Sequence, residues 1–150
     1  TGSRLIDAKG TFMPDIFSKE VDDAVYSTLY LENGLKGQLS VNWSDDTHRK
    51  MTTSLKIEGD RGKLEADATT LKIYLKEDNV EENLKKGWNI KYITDLTEQV
   101  FFNLRGEEYS SEVDHFIQCI KIGGLNQRSS FESALHTDYI INKLIEDANN

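Results

Sequence analysis

The sequence predicts an α+β domain, an open and mostly antiparallel sheet of about six to eight strands with two C-terminal helices covering one face. Three observations carry this. Between Lys36 and Asp67 apolar and polar residues alternate with the period of two that a pleated strand imposes. Asn33-Gly34 and Gly59-Asp60-Arg61-Gly62 punctuate the stretch as tight turns. From Tyr109 onward the apolar period becomes helical, so strands come first and helices last.

Each element follows from local chemistry. Leu5 to Phe12 is a strand, and Pro14, which has no N–H for a ladder, marks its end. Val21 to Glu32 is the next, with Val25, Leu29 and Leu31 on one side and Ala24, Tyr26 and Tyr30 on the other, so it reads as buried on both faces. Asn33-Gly34 accepts positive φ at low cost and joins it to Leu35 to Ser44 as a hairpin. The Gly59 to Gly62 turn pairs Met51 to Glu58 with Lys63 to Ala68. Leu71, Ile73 and Leu75 define a further strand. Glu77 to Gly87 reads as an exposed charged loop or mobile tip, and Trp88 to Ile93 as a last strand.

In this reading the organising stretch, Val21 to Asp67, is four consecutive antiparallel strands. Leu39, Val41, Trp43, Thr53, Leu55, Ile57, Leu64 and Ala66 form its core face. Gln38, Ser40, Asn42, Thr52, Ser54, Lys56, Lys63 and Glu65 form the other, a polar face suited to water or to a second sheet.

Val113, Phe116, Ile117 and Ile120 then recur at helical spacing after Ser110 and Ser111, and Gly123-Gly124 stops that helix. Ser129 and Glu132 have the form of a capping box for a second helix, with Ala134, Ile141, Leu144, Ile145 and Ala148 as its apolar stripe. The two helices are expected to cover the apolar sheet face.

At 150 residues the chain fits one domain, residues 1-150, which can bury roughly two-thirds of its unfolded surface without staples. A formal charge of −8 disfavours nucleic acid and anionic membranes as partners. A single cysteine, Cys119, excludes an internal disulfide framework and points to a reducing, cytoplasmic location. No apolar run approaches the ~20 residues that span a bilayer. The opening TGSRLIDAKGTF has no initiator Met and enters strand-like sequence at once, which predicts a segment of a longer protein.

Several residues invite chemistry, and each has a plainer role beside it. Asp45, Asp46 and His48 could hold a divalent metal for a hydrolase, but aspartates in a connection are first of all turn formers. Asp22 and Asp23 point to opposite faces of a strand and share no proton, so charge at a strand start is their simpler role. His115 and His136 are single imidazoles on helices, and Cys119 is a small hydrophobe with no activating base in view. Gly59-Asp60-Arg61-Gly62 lacks the Lys-Ser/Thr ending of a phosphate loop and is a turn. Trp43, Trp88 and the tyrosines could stack a sugar ring, although packing is the commoner use of such residues.

Taken together, VDDAVYSTLYLENGLKGQLSVNWSDD, LKIEGDRGKLEAD, EVDHFIQCI and SSFESALHTDYIINKLIED resemble the C-terminal domain of the glucose-fructose oxidoreductase, inositol dehydrogenase and MocA (Gfo/Idh/MocA) family. The carriers are the Asp-Asp before a strand, the Asn-Gly hairpin, a strand ending in Trp, the I-x-G-x-x-G-x-L turn and an E-x-x-x-F helix. They run from Phe17 onward, and their order is more specific than any one of them.

The resemblance implies a parent that oxidises a sugar or cyclitol with NAD or NADP bound by an N-terminal Rossmann domain. It implies no cofactor and no catalytic residue in this chain, which contains no Gly-rich fingerprint, no Glu-Lys-Pro segment and no Asp-x-x-x-His motif. This domain would supply the substrate-side wall and a homo-oligomer interface through the polar sheet face, and would be inactive in isolation. By analogy with residues that family members carry ahead of the G-x-x-G turn, His48, Arg49 and Lys50, together with Trp43, are the candidate substrate contacts. The alternative from another class is a free-standing binding module for a small polar ligand or a partner protein.

Overall fold

A computed structural model of the chain describes residues 3–47, 51–97, 100, 102, 107–124 and 130–150. It contains seven strands and three helices: β1 Leu5–Phe12, β2 Ala24–Leu31, β3 Lys36–Asn42, β4 Ser54–Gly59, β5 Gly62–Asp67, β6 Thr70–Leu75, β7 Gly87–Tyr92, α1 Ile93–Leu96, α2 Glu107–Ile122 and α3 Phe131–Ala148. The α+β class is as expected. The strands form two antiparallel ladders, β1-β2-β3 and β4-β5-β6-β7. The backbone divides into two compact units, residues 1–46 with 115–150, and residues 47–114.

In the first unit, β2 and β3 pair from Ala24↔Asn42 to Tyr30↔Lys36. Their turn differs from the two-residue form expected of Asn-Gly. Gly34 N–H bonds the Leu31 carbonyl at 3.0 Å and Leu31 N–H bonds the Leu35 carbonyl at 2.9 Å. Only Gly34 has positive φ, at 83°, so this is a three-residue loop in which glycine supplies the left-handed step after a type I turn. The β1–β2 register shifts between Lys9 and Phe12, where Gly10 has φ 66° and accommodates a bulge.

Helix α3 packs on β1. Its start is capped by Ser130, whose hydroxyl accepts the Ser133 N–H at 3.1 Å. The expected cap, Ser129, lies outside the described residues. The packed face also differs from the predicted stripe. Leu144 is buried, whereas Ile141 and Ile145 are 45% and 43% exposed. The less exposed positions are His136, Ile140, Lys143, Leu144, Asp147 and Ala148. A polar tie accompanies this rotation: Asp147 Oδ2 accepts the Thr11 N–H at 2.7 Å, and the Thr11 hydroxyl lies 2.8 Å from that of Ser27. Ala8, Ala24 and Ser27 are the other nearly inaccessible residues here.

The second unit is a meander. Cross-strand rows place Leu55, Ala66 and Leu71, then Ile57, Leu64 and Ile73, on one face. Lys56, Glu65, Lys72 and Ile90, then Glu58, Lys63, Tyr74 and Trp88, occupy the other. Asp67 closes the β5–β6 turn by accepting the N–H groups of Thr69 and Thr70 at 2.7 and 2.9 Å. The Glu77 to Gly87 tip is internally bonded: Asn79 and Leu84 form a bridge, and Asp78 accepts the Lys86 N–H at 2.8 Å. Ile93, expected to end the last strand, instead begins α1, where Asp95 accepts the Tyr92 N–H at 3.0 Å.

Helix α2 begins at Glu107, so Ser110 and Ser111 lie inside it rather than before it. It ends as Gly123-Gly124 predicts. Gly123, at φ 61°, donates to Ile120, and Gly124 donates to Cys119, each at 3.2 Å, which is the double bond of a Schellman stop.

Two further expectations are corrected. Val21 to Asp67 is not one run of four paired strands, because among the described residues β3 and β4 belong to different ladders. Residues 43 to 53 separate them, a connection long enough to free β4 from hairpin pairing. The predicted core face is also not uniformly buried: Val41 is 38%, Trp43 81%, Leu55 56% and Ile57 43% exposed. Period-2 alternation assigns residues to a common face, but only a covering layer buries that face.

Candidate functional site

Two aromatic and polar neighbourhoods stand out, one in each unit. The first lies at the end of β3. Trp43 N–H donates to the Asp23 carbonyl at 2.8 Å, extending the β2–β3 pairing by one step, while its indole stays exposed. Asp23 Oδ2 accepts the N–H groups of Phe17 at 2.6 Å and Ser18 at 2.9 Å. Those donors, Ser18 first, hold the Asp23 carboxyl below its ordinary range, with the Ser44 hydroxyl adding to the effect. Asp23 thus ties the loop before β2 to the strand and is more than a charge at a strand start. Phe17 and Trp43, both exposed, flank this anchor.

Of the predicted substrate contacts, Trp43 is therefore placed on an ordered surface beside Asp23 and Ser44. His48, Arg49 and Lys50 lie outside the described residues. Asp45 and Asp46 follow Ser44, and no group of three His, Cys, Asp or Glu side chains converges as a metal site among the described residues.

The second neighbourhood is the row Glu58, Lys63, Tyr74 and Trp88, which crosses all four strands of the second sheet next to the β4–β5 turn. With Gly59, Gly62 and Lys76 it lines an open cavity of about 330 Å³. Tyr74 and Trp88 meet edge to face, with ring centres 5.4 Å apart and planes at 60°. Lys63 Nζ lies 5.1 Å from the Trp88 ring centre and 2.9 Å from Glu65 Oε1. The Glu65 hydrogen bond raises the Lys63 pKa, and the same contact lowers that of Glu65, so both stay charged across the physiological range. Trp88 keeps 50% of its surface exposed.

Gly62 shapes this floor. Asp60 and Arg61 do not adopt positive φ, so the turn does not need glycine for a left-handed step. Instead a Cβ at position 62 would lie 2.0 Å from the Tyr74 carbonyl oxygen. The glycine is required by close approach of two backbones, a reason that a turn motif in sequence does not distinguish from φ.

On α2, Cys119 Sγ is 3.6 Å from His115 Nε2, one helical turn away. Cys119 therefore has an imidazole neighbour that was not assigned to it from sequence, although the i, i+4 spacing was there to be read. His136 stacks against Tyr139 at 6.2 Å between ring centres, and its Nε2 is buried without a hydrogen-bond partner among the described residues.

Every strand pairing among the described residues is antiparallel, so none of the parallel βαβ crossovers whose helix N-terminus receives a pyrophosphate occurs among them.

No family model matches the chain, and no curated protein sequence does. Solved structures do match its fold. An oxidoreductase domain protein from Kribbella flavida gives a TM-score of 0.74 at 18% identity, covering 99% of this chain and 44% of that one. Levoglucosan dehydrogenase in complex with NADH and L-sorbose gives 0.72 at 16% identity, covering 97% and 43%. Aldose-aldose oxidoreductase from Caulobacter crescentus, complexed with glycerol, gives 0.67 at 14% identity, covering 99% and 40%. The chain thus spans under half the length of each protein it matches. The likeness is one of fold, and it is the fold expected from the Gfo/Idh/MocA resemblance.

Proposed function

We propose that this chain, whose fold resembles part of Gfo/Idh/MocA-type oxidoreductases, is the C-terminal domain of an NAD(P)-dependent enzyme acting on a sugar or cyclitol. The observation that carries the reading is near-complete coverage of this chain against 40–44% coverage of each oxidoreductase it matches. NAD or NADP then belongs to an N-terminal Rossmann domain, and residues 1-150 are inert alone.

Trp43, with His48, Arg49 and Lys50 after it, forms the substrate-side wall in this reading. The indole supplies an apolar platform and the three cationic or imidazole side chains supply donors for hydroxyl groups. The polar sheet face serves self-association, and the enzyme works in the cytoplasm.

The decisive experiment is to read the coding sequence upstream of Thr1 and assay the full-length product. The reading expects about 150 residues opening with a strand and G-x-G-x-x-G, and sugar-dependent reduction of NAD or NADP. Trp43→Ala should raise KM with a smaller effect on kcat, since the indole binds the ring and does not react. An in-frame stop codon immediately upstream, or a full-length protein inert toward all sugars and cyclitols with both cofactors, sinks it. Sedimentation of the 150-residue chain as a strict monomer removes the self-association part.

A further inference from the structure

The row at the β4–β5 turn lies on the polar face that the proposed function gives to self-association, and its chemistry is also that of a carbohydrate subsite. We infer that the cavity floored by Trp88 and Tyr74 and edged by Glu58, Lys63 and Lys76 binds a single pyranose ring. This site belongs to the second unit and Trp43 to the first, and the choice of a sugar rests on the proposed function.

A pyranose presents C–H groups on one side and hydroxyl groups around its rim. Its receptor therefore needs an aromatic surface with polar groups around that surface. Trp88 offers the surface. Trp88 is half exposed and meets the Tyr74 ring edge to face, and Lys63 Nζ, 5.1 Å from the Trp88 ring centre, has to swing off that ring face for a sugar to stack on it. Glu58 provides an acceptor for rim hydroxyls, and Lys76, whose ammonium already donates to the Asp60 carbonyl, has further N–H groups for them; both line the same cavity.

Size and backbone agree with this occupant. A volume of about 330 Å³ sits at the small end of the roughly 300–1,000 Å³ typical of ligand pockets and holds one ring, and Gly59, Gly62, Lys63, Tyr74 and Lys76 also line a larger cavity of about 770 Å³ beside it. The glycines at 59 and 62 leave the wall by the turn free of side chains. Lys63 is paired with Glu65, so with Lys76 and Glu58 the charges at this site balance, which suits a neutral sugar.

The test is an NMR titration of the ¹⁵N-labelled 150-residue chain with methyl β-D-glucopyranoside. The chain has two tryptophans, so two indole N–H signals are read, and Trp43→Phe assigns them. The Trp88 signal is expected to shift and saturate with a Kd of about 1–10 mM, and the Gly62 and Lys63 amides to move with it. Glu58→Gln should weaken binding several-fold, and Trp88→Ala should abolish the Gly62 shift. Should Trp88→Ala not fold, the exposed Glu58 substitution carries the test. No saturable movement at Trp88, or full affinity in both variants, overturns the inference. A shift confined to Trp43 also overturns it while supporting the proposed substrate wall, and absence of a Rossmann domain upstream would overturn the proposed function without touching a saturable Trp88 signal.

Discussion

Replacing Gly62 by alanine tests whether a backbone contact or merely a turn preference fixes the second sheet. An ideal Cβ there would lie 2.0 Å from the Tyr74 carbonyl oxygen, 3.1 Å from its carbon and 3.3 Å from Leu75 Cα. All three are backbone atoms, so no side chain can swing aside. Relief requires β5 to part from β6 by about 1 Å, enough to take a neighbouring bond out of hydrogen-bond range. The Lys76 N–H to Arg61 carbonyl bond, at 3.0 Å, is the first in line.

Overpacking of this kind costs roughly 1–3 kcal/mol. The reduced backbone freedom of alanine in the unfolded chain offsets about 0.5–1 kcal/mol. A 2.0 Å clash with a backbone oxygen belongs in the upper half of the overpacking range, so the net expectation is a loss of about 1–2.5 kcal/mol. Gly59→Ala is the matched control, since its Cβ would meet nothing closer than the Gly62 carbonyl oxygen at 3.9 Å. It should be neutral or slightly stabilising. Urea unfolding followed by Trp88 fluorescence, in a Trp43→Phe background, reports on this sheet directly. A Gly62→Ala protein within about 0.5 kcal/mol of its parent, or equal damage from Gly59→Ala, refutes the close-approach argument.

Three other outcomes are expected. Leu144→Ala should lower stability by about 2–3 kcal/mol, the low end for a buried leucine because exposed neighbours on α3 can settle into the gap; thermal unfolding checks it, and a loss under about 1 kcal/mol would place the core elsewhere. Ser130→Ala should cost about 1 kcal/mol by removing the α3 cap; circular dichroism during urea unfolding reads it, and an unchanged midpoint would contradict the cap. Asp23, Asp67 and Asp147 are each held below the ordinary aspartate pKa, by N–H donors of Ser18 and Phe17, by Thr69 and Thr70, and by Thr11. Their contribution is complete above the unfolded value near ~3.9 and is lost as pH falls through the lower folded values. Urea midpoints should therefore drop below about pH 4, less steeply in Asp147→Asn, and identical slopes for parent and variant would contradict the Asp147 assignment.

The residue sequence determined the elements themselves. Strand positions, the hairpin partners around Asn33-Gly34 and Gly59 to Gly62, the stop at Gly123-Gly124 and the late helices follow from short-range rules, because alternation, glycine conformation and capping act over a few residues. Trp43 and Trp88 were legible as ring-stacking candidates for the same reason: an aromatic residue at a strand end or start is visible without a fold.

Only the tertiary structure decided which strands share a ladder, which face of α3 packs, and which residues Trp88 meets. The long connection from β3 to β4 leaves pairing open, and a stripe on α3 can rotate by one position when Asp147 finds the Thr11 amide. The row of Glu58, Lys63, Tyr74 and Trp88 depends on three cross-strand registers holding at once. A one-residue slip in any of them turns a strand over, and that coupling between distant positions is what local pattern does not contain.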